Sequence, residues 1–431
     1  MKPTFAIVTL GCKTNQFESA AMSEKLIVAG YLPCNFEEGA DLVLINTCTV
    51  TSNTDAQSRN LIRRAKRFNP LSRVVVTGCY AQVDAKSLAE MPGVSLVLGN
   101  QEKGELLAYL AQSNAEGTFA VAAIRGENVE VALEVASEAK RSRAFLQIQN
   151  GCDAFCSYCI IPYARGRSRS VEPIAVLKQV DSLVAAGHQE LVLTGIHIGQ
   201  YGKDLTPQIN LLSLVQQIEP RLKDCRLRLG SLEPTELPVE LRAHTTGSAK
   251  ICPHYHIPLQ SGSDRVLAAM NRHYSTSFFA EMLHDIHQRQ PQAGIGIDLI
   301  VGFPGETDAE FDETCRFVAS LPVSYLHVFP YSRRPGTLAA GLGGQIPGNI
   351  ARLRAERMRQ IGEDKHRQFA REFVGQALEV IPEAGDHSGK MRAVAGNYLS
   401  ILLPFDENLI GQRRLARVCR QGTQGLEGVI V

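Results

Sequence analysis

Residues 150–159 read Asn150-Gly-Cys-Asp-Ala-Phe-Cys-Ser-Tyr-Cys159, and they stand directly after an apolar run, 145–149, with the length of a strand. Three thiols this close suit iron–sulfur ligation, in which cysteine thiolates hold the irons. A cubane cluster with three protein ligands keeps one iron open to a small molecule. Zinc is the alternative, but a closed zinc site needs a fourth protein ligand at a plausible spacing.

Working outward, strand-like runs recur with helical sequence between them at 145–149, 190–194, 226–230, 256–259, 295–301 and 325–329. Six βα units predict a partial barrel. On the N-terminal side the apolar runs 5–10, 42–46 and 74–77 are each followed at once by a cysteine, Cys12, Cys48 and Cys79. The intervals between them are long enough for βαβ crossovers, so the strands are predicted to be parallel. In an open parallel sheet the carboxyl ends of the strands share one edge, where the three cysteines can converge. Residues 111–143, with Gly117, Gly126 and Asn128, lack a clear period and read as a join. The Arg-rich stretch 352–373 reads as a helix, interrupted only by Gly362. Beyond it, runs at 378–381, 398–403 and 416–419, punctuated by Gly385, Gly389, Gly396 and Gly411, read as a small all-β barrel. The fold class is therefore α/β in three units: an open parallel-sheet domain over 1–110, a barrel over 144–350, and an all-β barrel over 374–431. A linking helix, 351–373, precedes the last.

A chain of 431 residues, 44% of them hydrophobic, can bury more than one core. No apolar run approaches the roughly 20 residues that span a bilayer, so no membrane role is expected. Residues 5–10 are too short for an export signal and have only Lys2 as a basic flank; a buried strand fits better. Eleven cysteines is an odd number that cannot all pair within one chain, which points to metal ligation or thiol chemistry in a reducing, cytoplasmic setting. A net charge of +1 excludes global attraction to nucleic acid, so any such binding must rest on local patches. Arg59, Arg63, Arg64, Lys66, Arg67 and Arg73 form one, in a stretch without acidic residues from Ala56 to Val83. A solvated helix face is the plain alternative.

The spacing of Cys152, Cys156 and Cys159 resembles the signature of the radical SAM superfamily, whose open iron chelates the amino and carboxylate groups of S-adenosylmethionine. The resemblance puts Tyr158 near the adenine. It also makes SAM-contacting segments of Thr194-Gly195, Gly230-Ser231-Leu-Glu233 and Gly302-Phe-Pro-Gly305-Glu306. For Glu233 and Glu306 the other reading is a helix N-terminal carboxylate held by the backbone dipole. Gln260-Ser-Gly-Ser263 lets backbone approach a ligand or simply forms a turn. His197 and Asp298, near strand ends, either touch substrate or satisfy local hydrogen bonds. Cys34, Cys225, Cys252, Cys315 and Cys419 have no ligand-like spacing and are expected to pack as small hydrophobes.

With Leu10-Gly-Cys-Lys-Thr-Asn15, Asn46-Thr-Cys-Thr-Val50 and Thr77-Gly-Cys-Tyr80 added, the chain resembles the methylthiotransferases. That resemblance implies two 4Fe–4S clusters, one on Cys12, Cys48 and Cys79 and one on Cys152, Cys156 and Cys159. It implies S-adenosylmethionine as cofactor and methyl source, and a C-terminal TRAM-like RNA-binding domain carrying Arg413, Arg414, Arg417 and Arg420. It further implies radical activation of C2 of a modified adenosine beside the tRNA anticodon. The expected partners are a tRNA anticodon stem-loop, an electron donor such as flavodoxin or ferredoxin, and a sulfur donor. Gly11-Cys-Lys-Thr-Asn15 and Ile160-Ile-Pro-Tyr-Ala-Arg165-Gly look most like the subgroup acting on N6-threonylcarbamoyladenosine at position 37 of tRNA. The isopentenyladenosine subgroup and the subgroup acting on a ribosomal-protein aspartate are the alternatives. A metal-containing RNA-binding protein without catalysis is the alternative from another class. Arg165-Gly-Arg167-Ser-Arg169 and Arg352, Arg354, Arg357 and Arg359 are expected to hold phosphates. An arginine among Arg165, Arg272, Arg333 and Arg334 would suit the threonylcarbamoyl carboxylate.

Overall fold

The computed structural model describes residues 2–112, 117–124, 133, 143–385, 389–423 and 425–431. Gly126, Asn128 and most of the predicted join lie outside them.

The N-terminal unit is a six-stranded sheet, all of it parallel, with Thr4–Thr9, Leu42–Thr47 and Arg73–Gly78 adjacent. Leu42–Thr47 is buried at every position, as expected of a central parallel strand covered on both faces. The helix Ser52–Phe68 that follows starts at a capping box between Thr51 and Thr54. The strands Leu32–Pro33, Val94–Leu98 and Thr118–Ala120 were not predicted. The last pairs with Val94–Leu98 through Leu96↔Thr118, so this sheet runs beyond residue 110 into the stretch read as a join. Two or three residues of edge strand are too few to carry a period.

The six predicted barrel strands are present as Ala144–Gln147, Glu190–Thr194, Arg226–Arg228, His254–His256, Gly294–Val301 and Tyr325–Pro330. They form two parallel three-stranded sets, linked by the bridges Leu227↔Ile251 and Ser231↔His256 into one curved wall. Leu191, Leu193, Leu227, Tyr255, Ile295, Ile297 and Leu299 pack into the core beneath the helices. Side chains alternate along a strand, so Glu190, Arg228, His256 and Asp298 face the lumen. The linking helix is Gly348–Arg371. It buries Ala355 and Met358 in the barrel core, while Ala370 and, just past its end, Phe373 join the core of the last domain.

That last domain is a closed five-stranded barrel, with Lys390–Ala395 and Gly425–Ile430 added to the strands predicted. It docks on the amino ends of the large barrel's strands. Arg226 donates to the carbonyls of Glu379 and Val394, and Arg228 to those of Ala395 and Gly396, at 2.9–3.2 Å. Both arginines share Glu190, which is fully buried.

Candidate active site between two cysteine trios

Strand register brings the first trio together. Thr9 pairs with Asn46 and Asn46 with Thr77, so Cys12, Cys48 and Cys79 leave three neighbouring strands at nearly the same level. Cys12 caps the helix Lys13–Val28, and Cys79 opens the helix Cys79–Val83. Gly11 has φ +94, and a Cβ there would sit 2.6 Å from Cys48 Cβ and 2.8 Å from its Sγ, so glycine is what lets the thiols approach. Burial pushes the Cys48 thiol up to about 12, and neighbouring Cys79 and Cys12 add to the rise. Binding a metal at this trio requires the thiols to give up their protons, because the thiolate is the ligand.

The second trio lies on a loop pinned from several sides. Gly151, at φ +74, sits where a Cβ would lie 1.8 Å from the Arg167 carbonyl, and the Cys152 amide donates to the Gly166 carbonyl at 3.0 Å. Ser157 donates through its amide to Met270 and through its hydroxyl to Ala269, and accepts from the Ala339 amide. Burial pushes the Cys159 thiol up to about 12, with Cys156 beside it. Cys152 Sγ lies 3.3 Å from His197 Nδ1, whose other nitrogen meets Glu236 at 2.8 Å. Arg272 donates to Cys156 Sγ at 3.4 Å and pairs with Glu233. All eleven cysteines are free thiols.

A cavity of about 210 Å³ separates the trios. Tyr158 and Cys159 form one wall, and Val50 and Thr51, just past Cys48, form another; Gln260, Asp298, Ile300 and Tyr331 complete it. Asp298 accepts from His256 at 2.9 Å and lies 3.1 Å from His327 Nδ1. Burial alone would raise the Asp298 carboxyl, but the two histidines hold it well below the usual carboxylate range. The donor sets fit sulfur-ligated clusters: three thiols brought together at each site, no disulfide, and a cavity between.

Residues 4–99 match the family described as "Uncharacterized protein family UPF0004", and residues 146–318 match the Radical SAM superfamily. The chain is 39% identical over 435 residues to Threonylcarbamoyladenosine tRNA methylthiotransferase MtaB of Bacillus subtilis, covering 99% of this chain and 96% of that one. The chain belongs to the radical SAM methylthiotransferases. The protein of the same description from Aquifex aeolicus is also 39% identical, over 87% of this chain and 92% of its own. A tRNA-2-methylthio-N(6)-dimethylallyladenosine synthase of Moorella thermoacetica is 33% identical over 100% and 99%. Among solved structures, the radical S-adenosylmethionine methyltransferase TsrM of Kitasatospora setae, with cobalamin and a [4Fe-4S] cluster bound, superposes with a TM-score of 0.56. Identity there is 16% over 79% of this chain and 77% of that one, a likeness of fold alone.

In this methylthiotransferase the residues singled out from sequence divide into two groups. Tyr158 lines the cavity and packs on Val266, Met270 and Phe303. Thr194 Oγ1 lies 3.5 Å from Thr14 Oγ1 of the N-terminal unit, Gly195 fits closely against the Gln149 carbonyl, and Ser231 Oγ lies 2.5 Å from His256 Nδ1. Glu233 reaches Cys156 through Arg272. Glu306 is held elsewhere: its carboxylate takes the Gly302 amide at 2.7 Å and Arg354 at 2.5 Å, which accounts for its burial without a ligand. A Cβ on Gly302 would meet Ala351 of the linking helix at 2.7 Å, so that glycine serves helix packing.

The predicted phosphate grip changes most. Arg165 is fully buried, paired with Glu18 and donating to Cys79 Sγ at 3.1 Å. Arg169 is buried on the carbonyls of Arg165 and Arg167, and Arg354 on Glu306 and Asp308. Arg167, Arg352, Arg357 and Arg359 remain exposed, as do Arg63 and Arg67. Sequence reading missed His256 and His327 as partners of Asp298, and the Glu190 pair with Arg226 and Arg228. The period-2 alternation of lumen-facing polar residues in the barrel strands was the available signal.

Proposed function

We propose that this chain adds a methylthio group to C2 of N6-threonylcarbamoyladenosine at position 37 of tRNA. The observation that carries the reading is the cavity with Cys159 on one wall and the residues after Cys48 on the other, since the reaction needs two sulfur-ligated centres facing one substrate. The choice of base is supported by relatives of that printed activity at 39% identity, against 33% for the dimethylallyladenosine relative. Cys152, Cys156 and Cys159 would hold the cluster at which S-adenosylmethionine is reductively split, and Cys12, Cys48 and Cys79 the cluster that carries the sulfur.

The chain's own residues supply position and exclusion. Tyr158, Ile300 and Tyr331 give the cavity apolar walls that keep bulk water from the reacting carbon. Thr194, Gly195, Ser231 and Glu233 border the lumen or the cluster loop, and we assign them to S-adenosylmethionine together with Tyr158. Exposed Arg63, Arg67 and Arg352, with Arg414 and Arg417 of the small barrel, supply positive charge for an anticodon stem-loop whose loop bases are accessible. An electron donor of the flavodoxin or ferredoxin class and a sulfur donor complete the cycle, which suits a cytoplasmic setting; no described helix is long and apolar enough to cross a membrane. Nucleoside mass spectrometry of tRNA from cells with and without the gene tests this reading. Loss of 2-methylthio-N6-threonylcarbamoyladenosine is the expected result, and its persistence at normal level refutes the reading.

A further inference from the structure

Resting on that function, we propose that Lys13 recognises the carboxylate of the threonylcarbamoyl group. Three of the four arginines that the sequence offered for this task are already paired. Arg165 is taken by Glu18, Arg272 by Glu233 and Arg334 by Asp55 at 2.7 Å. Arg333 is exposed and donates to the Ala340 carbonyl at 2.9 Å. Lys13 differs from all of them. Among the described residues its ammonium has no carboxylate within ion-pair distance and no hydrogen-bond acceptor.

Its position is set by the N-terminal helix. Thr14 meets Thr194 at the end of a barrel strand, and Phe17 and Ala21 pack against Phe145 of the neighbouring strand, so Lys13–Val28 lies against the barrel with Lys13 at its inner end. The ammonium is within electrostatic reach of the lumen residues Arg228, Glu190 and His254, and of Arg143. None of these neutralises it. Glu190 is shared by Arg226 and Arg228, Arg143 is paired with Glu383 at 2.5 Å, and Asp298 is taken by two histidines. Among the described residues, Lys13 is therefore a half-buried cation beside the lumen that no carboxylate pairs, and such a cation gains when an anion joins it. Lys13 also follows Cys12 directly, so one turn of chain presents a ligand of the sulfur-carrying site and the carboxylate receptor together. An isopentenyl group has no charge to offer there, which makes the same lysine a penalty against that substrate.

The test uses the full-length reconstituted enzyme and anticodon stem-loop RNAs carrying N6-threonylcarbamoyladenosine, its methyl ester, or N6-isopentenyladenosine. Phosphates are identical in all three, so the acid-over-ester preference isolates the carboxylate. Binding is read by fluorescence anisotropy, product by mass spectrometry, and cluster content by iron and sulfide analysis. Lys13→Met is expected to lower kcat/KM for the acid RNA by about 10- to 100-fold and to erase the acid-over-ester preference, with Lys13→Arg restoring much of it. Deoxyadenosine formation without RNA should stay at the wild-type level. Because anisotropy does not require turnover, Lys13→Met and Lys13→Gln report the preference even with reduced iron. Retention of the preference by both variants, or its loss in Arg333→Ala instead, overturns the assignment. A wild-type enzyme that acts only on the isopentenyl RNA overturns the proposed function as well.

Discussion

Arg165 donates its Nε hydrogen to Cys79 Sγ across 3.1 Å, so a residue just past the Cys152–Cys159 loop grips a thiol of the other trio. The same guanidinium binds Glu18 and Asn15, and Glu18 takes Lys103 at 2.5 Å. Burial works against the Glu18 carboxylate, yet Arg165 and Lys103 hold it down to about 2. The two sites are thereby fixed to each other through one fully paired buried network.

Arg165→Met removes the pivot of that network and leaves Cys79 without its donor. The expected cost is about 3–5 kcal/mol of stability, as for other broken buried ion pairs. Iron content should fall towards half while reductive cleavage of S-adenosylmethionine persists. Full iron content and an unchanged denaturation midpoint would argue that the bond is incidental.

Replacing Cys152, Cys156 and Cys159 together by Ala should abolish deoxyadenosine formation and remove one cluster's iron, leaving the other. Reductive cleavage that survives in this variant refutes the placement of the radical-generating site.

The reciprocal change, Cys12, Cys48 and Cys79 to Ala, should leave deoxyadenosine formation in place and eliminate methylthiolated product. Product formed at the wild-type rate excludes the sulfur-carrying role of that trio.

Much of this arrangement was legible in the sequence because its signals are local. Each N-terminal cysteine follows its strand within a few residues, and parallel register does the rest. The partners of Arg165 were not legible, since Glu18 is 147 positions away and an arginine in an Ala-Arg-Gly-Arg context looks solvated. His256, Asp298 and His327 met for a similar reason: Asp298 and His327 are register partners on neighbouring strands, a fact of pairing that no single strand encodes. Gly425–Ile430 escaped because its glycines dilute the strand pattern, and only barrel closure makes it a strand.

Glu190 gives a pH-dependent expectation. Burial opposes its charge, but Arg228 and Arg226 hold its carboxyl at about 2. Its contribution is complete above the ordinary carboxyl value, about 4.3, and is lost as pH falls towards the folded-state value. Glu190→Gln should therefore be less stable than wild type by about 3–5 kcal/mol near neutrality, and the gap should narrow on acidification to about pH 3. A gap that widens with acid contradicts the assigned network.

Arg414 and Arg417 stand exposed on the strand Arg414–Gly422 of the small barrel. Replacing both by Ala should weaken tRNA binding and reduce the slope of log affinity against log salt by about 1 for each phosphate no longer neutralised, with cleavage of S-adenosylmethionine spared. An unchanged slope removes this face from the tRNA interface.

The central claim is that two sulfur-ligated sites act on one threonylcarbamoyl-bearing adenosine in the cavity between them. The most direct measurement offers the purified, reconstituted enzyme two tRNAs separately under reducing conditions, one carrying N6-threonylcarbamoyladenosine and one N6-isopentenyladenosine, and quantifies the methylthio nucleosides by mass spectrometry. Methylthiolation of the threonylcarbamoyl tRNA, with little or none of the other, is the expected result; methylthiolation of only the isopentenyl tRNA contradicts it.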